Sequence, residues 1–250
     1  MARTEKKIAV VTGGSSGIGM GVAMRLAGDG FSIVVTGRNE SRLKDACGQI
    51  GAGATYFVVD VSRRVEVAAF AAKLQQAHGV IDVLVNNAGI MKTTSLQTDA
   101  EELERVWDET LNTNLKGILL VSHALADLIR APGGRIVNMS SIASQNGGTQ
   151  PGMLAYSASK AGINGLTMAL AREFAPRGVT VNAVAPGMIE ETGLTGTFNE
   201  ERKTRARTMI PMGRAGLPRE IAASVSWLAS EDGGYVTGSI VSVNGGWRFG

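Results

Sequence analysis

Cysteine is almost absent from this sequence: Cys47 is the only one in 250 residues. An internal disulfide and a thiolate metal cluster are both excluded. Histidine is nearly as scarce. His78 and His123 stand alone, neither in a metal-ligand spacing, so no metal site is expected. An excess of one charge is also lacking. The 25 Lys and Arg are interspersed with 22 Asp and Glu and leave a net +3. Such a balance offers no basic face for nucleic acid. No apolar run is long enough to span a membrane, since the longest, around GILLVSHALADLI, carries His123 and Asp127. MARTEKK runs directly into a strand-like segment without a secretory pattern. The expectation is a cytoplasmic protein with neither a nucleic-acid nor a membrane partner.

What the sequence does have is glycine, 33 residues of it, and short Val/Ile-rich runs. The runs cover 7–13, 31–37, 54–61, 81–87, 134–140, 179–186 and 239–246. They show little polar alternation, as strands buried on both faces of a parallel sheet do. Segments with helical spacing lie between them, such as VEVAAFAAKLQQAHG and AGINGLTMALAREFAP. Strand and helix alternating from end to end predict a doubly wound α/β fold. The expected sheet is mainly parallel and Rossmann-type, with about seven strands and helices on both faces. No linker or composition shift divides 1–250, which reads as a single dinucleotide-binding and catalytic domain.

The first strand run ends in VTGGSSGIGMG, with Gly13, Gly17 and Gly19 spaced G-x-x-x-G-x-G around Ser15, Ser16 and Ile18. Glycines after a strand and before a helix permit a tight turn and close approach of a pyrophosphate to helix N-terminal amides. A plain strand-to-helix turn would use the same residues. The second run ends in Gly37-Arg38, with no carboxylate at the tip to bond a ribose 2′-hydroxyl. A guanidinium there pairs with a 2′-phosphate, favouring NADP(H), or is an ordinary loop charge. Glu40 nearby weighs the other way. The third run ends in Asp60-Val61 and the fourth in Asn87-Ala88-Gly89, both at the strand ends where open α/β sheets bind ligands. Asp60 fits either an acceptor for an adenine amine or a helix N-cap.

Further along, LAYSASKAG sets Tyr156 four residues before Lys160, one helical turn apart on one face. An isolated tyrosine, with a pKa of about 10, is a poor acid at neutral pH. A nearby ammonium favours the phenolate and lowers that value. Ser141, at the end of the fifth run, is placed to hold a carbonyl or alcohol oxygen, with Ser140 as the other candidate.

TGGSSGIG, NNAG, NTNLKG, NMSSIAS, YSASK, NAVAPG and the tail SEDGGYVTGSIVSVNGG occur in the order found in the short-chain dehydrogenase/reductase family, which the chain resembles over nearly its whole length. The resemblance implies Tyr156 as proton donor, Lys160 as the cation that tunes it and bonds the nicotinamide ribose, and Ser141 as the holder of the substrate oxygen. It implies Asn114 as anchor of a water leading to Lys160, and Pro186, Gly187 and Ile189 as cover for the nicotinamide. Three departures stand out. Ser141 and Tyr156 are 15 residues apart, more than is common in the family, with the extra length in SQNGGTQPGML. Ser16 occupies a glycine-loop position that is often basic in NADP(H)-using members, which leaves Arg38 as the main phosphate reader. Glu191 stands where a threonine touching the carboxamide is frequent, with Thr192 next to it.

Residues 188–214 read as a substrate lid, and of the two placements open to Trp247 and Phe249, packing on their own domain or entering a subunit interface, the family resemblance favours the interface. The resemblance implies a homotetramer. The implied activity is an NADPH-dependent carbonyl reductase of ketone or 3-oxoacyl type, reversible as an alcohol dehydrogenase and acting on a small molecule. The alternatives are an NAD-dependent alcohol or hydroxysteroid-type dehydrogenase and a non-catalytic dinucleotide sensor. The Asn114, Ser141, Tyr156, Lys160 set argues against the sensor.

Overall fold

The seven apolar runs form seven strands in a computed structural model that describes residues 6–51, 53–193, 196 and 199–249. The strands are β1 (Ile8–Thr12), β2 (Ser32–Gly37), β3 (Thr55–Val58), β4 (Val83–Asn86), β5 (Arg135–Met139), β6 (Thr180–Pro186) and β7 (Ile240–Val243). They make one sheet in the order β3-β2-β1-β4-β5-β6-β7, and every neighbouring pair is parallel. This is a Rossmann-like arrangement with helices on both sides.

The unbroken apolar character of the strands follows from burial on both faces. Ala9, Val11, Ile33, Val35, Val83 and Val85 point to one side. There they meet α1 (Gly17–Gly28), α2 (Glu40–Ile50) and α9 (Pro218–Ala229) through residues such as Leu26, Leu43 and Ile221. Val10, Val34, Leu84 and Ile136, one residue out of phase, point to the other side. Their partners include Phe70 and Leu74 of α3 (Arg64–His78), Val121 of α5 (Gly117–Ala124) and Phe174 of α7 (Leu154–Phe174). The remaining helices are α4 (Ala100–Leu111) and the short α6 (Ala143–Asn146) and α8 (Glu200–Thr208). No described helix is long and apolar enough to cross a membrane.

Two strands fall short of their apolar runs. β3 stops at Val58, because it is a sheet edge with that side chain half exposed and because Asp60 turns the chain by accepting from the amide and hydroxyl of Ser62. β7 stops at Val243, before Gly245 and Gly246 take positive φ.

The chain leaves β1 toward β2 and β3 and returns across to β4, so strand order reverses between β1 and β4. Connections on either side diverge there and leave a crevice at the carboxyl ends of the strands. At the opposite end of the same strands, buried Asp82 ties the sheet together. Its Oδ2 accepts from the Ile8 amide at 2.7 Å, and its Oδ1 accepts from Arg130. Replacing Asp82 by Ala leaves the Ile8 amide without its partner and is expected to cost about 2 kcal/mol. Arg130→Ala should cost less, since that side chain is 46% exposed. Urea unfolding of both variants checks the order, and equal losses would contradict it.

Candidate active site

The crevice is built first from the tips of β1 and β4. Thr12 Oγ1 accepts from the amides of Asn87 (3.0 Å) and Ala88 (3.1 Å). In return, Asn87 Nδ2 donates to the carbonyls of Thr12 (3.0 Å) and Gly13 (3.1 Å). Gly13 sits inside this knot at φ +64, and a Cβ there would come within 2.9 Å of the Ala88 Cα. A Cβ on Gly19 would overlap the Gly13 carbonyl and the Asn87 amide. Small residues are therefore obligatory in this turn. At the start of α1, Ser16 makes no side-chain capping bond and the first helical turn carries no acidic residue. The amides at this helix end are free to face an anion.

A cavity of about 970 Å³ opens from this turn. Every residue read from the sequence as cofactor-binding lies on its wall: Gly13, Ser15 to Gly19, Arg38, Asp60, Val61, Asn87 to Gly89, Tyr156, Lys160, Pro186, Gly187 and Ile189. Ser141 is there too; Asn114 is not. The glycine cradle, the unblocked helix amides and the neighbouring cations fit a dinucleotide in an extended pose.

Arg42, which sequence reasoning missed, joins Arg38 on the wall at the tip of β2. Asn39 caps α2 by accepting from the Arg42 amide at 3.0 Å, so Arg42 occupies the first turn of a helix starting at this mouth. The sequence signal was the N-cap asparagine three residues before an arginine. Glu40 is drawn away instead. It pairs with Lys44 at 3.0 Å and accepts from the Tyr56 hydroxyl, and these partners hold its carboxyl below the usual range. Asp60 serves as an acceptor for Ser62 while facing the cavity.

Farther along the wall, Tyr156 and Lys160 project from α7 toward the end of β5 and are nearly fully buried. Lys160 Nζ donates to the Met139 carbonyl at 2.7 Å and lies 5.6 Å from the centre of the Tyr156 ring. Ser141 stands near enough to the Tyr156 hydroxyl to influence its acidity, and its Oγ accepts from the Ala143 amide at 3.1 Å. Burial pulls the Lys160 ammonium down to about 8. Burial also pushes the Tyr156 hydroxyl above its ordinary value, with Ser141 opposing. Loss of water is the largest influence on Tyr156 in this structure and acts against the lowering expected from Lys160.

The two candidate serines separate cleanly. Ser140 Oγ donates to Asn164 at 2.7 Å, inside the β5–α7 contact, whereas Ser141 meets Tyr156. Consecutive residues leaving a strand point in opposite directions. Asn114 lies in a π-helical segment, Asn112–Lys116, between α4 and α5, and is fully buried. Its Oδ1 accepts from the Ile90 amide at 2.8 Å. Its Nδ2 donates to the Ile90 carbonyl at 2.9 Å and to Ser159 Oγ at 3.0 Å. The side chain clamps the turn after β4 onto α7 beside Tyr156. Its amide is committed to these protein groups.

Beyond Tyr156 the walls become apolar. Met91, Ala143 and Met153 pack against the tyrosine. The longer loop is held there by pairing of Thr94 with Met153 and by the Ser157 hydroxyl donating to the Gly147 carbonyl at 2.7 Å. Facing it are Met188, Met209 and Trp247. Trp247 packs, partly buried, on Met188, Ile210 and Ala215, and Phe249 is exposed. Thr192, not Glu191, reaches the cavity, and lies over Gly17. Glu191 takes φ +58, the turn that swings its neighbour inward. Of the expected lid, residues 194, 195, 197 and 198 lie outside the described residues.

Comparison with known proteins places these features in a group. A family model described as Enoyl-(Acyl carrier protein) reductase matches residues 13–248. The chain is 39% identical to the 3-oxoacyl-(acyl-carrier-protein) reductase FabG of Vibrio cholerae serotype O1, covering 97% of each. It is 39% identical to the protein of that name from Thermotoga maritima, covering 98% of each. Against that of Staphylococcus aureus N315 the identity is again 39%, over 96% of this chain and 97% of the relative.

The Lys160 site generates a stability prediction. The folded chain releases this proton near pH 8, and an ordinary lysine does so near 10.5. Between those values the unfolded chain holds the extra proton, so stability gains with rising pH through this window. Lys160→Met should lose that gain relative to the wild type, measured by urea unfolding at pH 7.5 and about 9.5. Identical pH dependence in the two proteins would mean that the lysine is not desolvated.

Proposed function

The chain belongs to the short-chain dehydrogenase/reductase family, and from this premise we propose that it is an NADPH-dependent reductase of 3-oxoacyl-type carbonyl compounds, reversible as an alcohol dehydrogenase. The observation that carries the reading is that Ser141, Tyr156 and Lys160 share the wall of one cavity that begins at a glycine turn, with Lys160 Nζ 5.6 Å from the tyrosine ring centre. A bound reduced nicotinamide supplies hydride to the carbonyl carbon. Tyr156 gives its hydroxyl proton to the carbonyl oxygen, which becomes the alcohol, and Ser141 holds that oxygen by hydrogen bonding. Lys160, protonated below about pH 8, offsets the phenolate that Tyr156 becomes. A neutral, buried tyrosine suits the donor role, because it carries the proton that reduction consumes.

Preference for the phosphorylated cofactor is supported by Arg38 and Arg42 at the tip of β2, and by the withdrawal of Glu40 onto Lys44 and Tyr56. Residues 1–250 then act as one domain, with 188–214 as lid over the substrate and Pro186, Gly187 and Ile189 over the nicotinamide. Asn114 serves as a positioning residue for Tyr156. The exposed Trp107, Leu119 and Met168 on α4, α5 and α7 support self-association, and the assembly proposed is a cytoplasmic homotetramer.

The description of the matching family model supports a second reading, reduction of the conjugated C=C of an enoyl thioester. That reaction delivers hydride and proton to two carbons. Two hydroxyls converging on one point suit an oxygen acceptor better and favour the carbonyl.

Tyr156→Phe is expected to bind NADPH normally and lose about 10²- to 10⁴-fold in kcat with a 3-oxoacyl thioester. Retention of turnover by this variant would sink the mechanism. Ser141→Ala should lose far more activity than Ser140→Ala. Assaying 3-oxoacyl and 2-enoyl thioesters in parallel by NADPH absorbance separates the two reactions. Arg38→Asp should weaken NADPH roughly tenfold to a hundredfold while sparing NADH. Equal losses for both cofactors would place the phosphate contact elsewhere.

A further inference from the structure

The charges of α8 are not equivalent. Lys203 pairs with Glu200 at 2.7 Å, and Arg207 pairs with Glu190 at 2.7 Å. Arg205 makes no ion pair among the described residues, yet it lies on the cavity wall with Ala206 and Met209. Arg205 and Met209, four residues apart, line up along one side of α8 and the turn that follows it, with Ala206 next round the helix. Ala206 packs onto the cluster of Met188, Ile210, Ala215 and Trp247, beside the ends of β6 and β7. Arg38 and Arg42 stand across the crevice, at β2.

The other cations on the wall are occupied. Lys160 is buried on the Met139 carbonyl, and Lys92 pairs with Glu109 at 2.6 Å. The one carboxylate on the described wall, Asp60, is at the β3 end. The substrate half is thus lined mainly by methionines and Trp247, with neutral Thr149 and Gln150 among them and, among the described residues, one guanidinium without an ion-pair partner at its solvent side.

We propose that Arg205 is a specificity-determining residue that pairs with an anionic group, a phosphate or a carboxylate, carried by the acyl substrate beyond its reacting carbonyl. The proposal rests on the reductase reading above. A guanidinium matches either anion with two parallel hydrogen bonds. The reacting carbonyl then sits at Tyr156, the acyl chain lies between Met153 and Met188, and the charged end reaches the mouth.

Four substrates test the idea and separate the two sources of charge. They are a 3-oxoacyl 4′-phosphopantetheine thioester, the same thioester without the phosphate, a 3-oxoacyl N-acetylcysteamine thioester bearing a terminal carboxylate, and its uncharged methyl counterpart. For one of the two charged members, Arg205→Met should raise KM about tenfold with little change in kcat. The uncharged partner and the dissociation constant for NADPH should be unaffected, and Arg205→Lys should recover part of the loss. Equal losses for charged and uncharged partners would overturn the proposal while leaving the reductase reading intact. Weakened NADPH binding by Arg205→Met would overturn it as well, assigning the guanidinium to the cofactor. Failure of the wild type to reduce any of the four would overturn the reductase reading and this inference with it.

Discussion

The hydrogen-bonded knot between the tips of β1 and β4 is the constraint from which the rest of the site follows. Thr12 and Asn87 exchange bonds across the point where strand order reverses, the one place where two neighbouring strands send their connections apart. The knot fixes the glycine turn on one side. On the other it fixes the turn after β4, whose Ile90 is held at both backbone groups by Asn114. Asn114 in turn donates to Ser159, and Ser159 donates to the Tyr156 carbonyl at 2.7 Å. One connected set of bonds therefore runs from the glycine turn to the backbone of Tyr156, spanning two strands and a helix.

Burial governs the electrostatics at the far end of that path. Tyr156 and Lys160 both leave water where α7 covers the tip of β5. Each is pushed toward its uncharged form, the tyrosine upward and the lysine downward. The Met139 carbonyl supplies the polar partner that makes burial of the lysine tolerable. Pairwise attraction between a cation and a phenolate is then a feature of the reacting state, while the resting pair is dominated by desolvation.

Much of this was legible in the sequence because it rests on local pattern. Val/Ile runs with no polar alternation announce doubly buried strands, and glycines after the first of them announce a turn with close neighbours. The features that escaped depend on direction or on partners remote in sequence. The order of two serines says nothing about which faces the tyrosine, since that is decided by the pleat and by Asn164. Arg42 and Arg205 look like ordinary helix charges until the fold shows which faces meet the cavity. The π-helical turn that buries Asn114 has no sequence signature in NTNLK. The desolvation of Tyr156 comes with its packing against Met91, Ala143 and Met153, and no local spacing records it.

The longer loop before α7 is joined to the turn after β4 by the pairing of Thr94 with Met153, and Trp247 returns from the end of the chain to face it. The groups proposed to touch the reacting atoms stand just beyond β5 and on α7. The groups that shape the chamber stand on the loop, on α8 and on the tail. Inherited variation in the second set can alter which molecules enter without disturbing the proton-bearing set. The scaffold thereby separates what reaction is done from what it is done to, and leaves the second free to diverge.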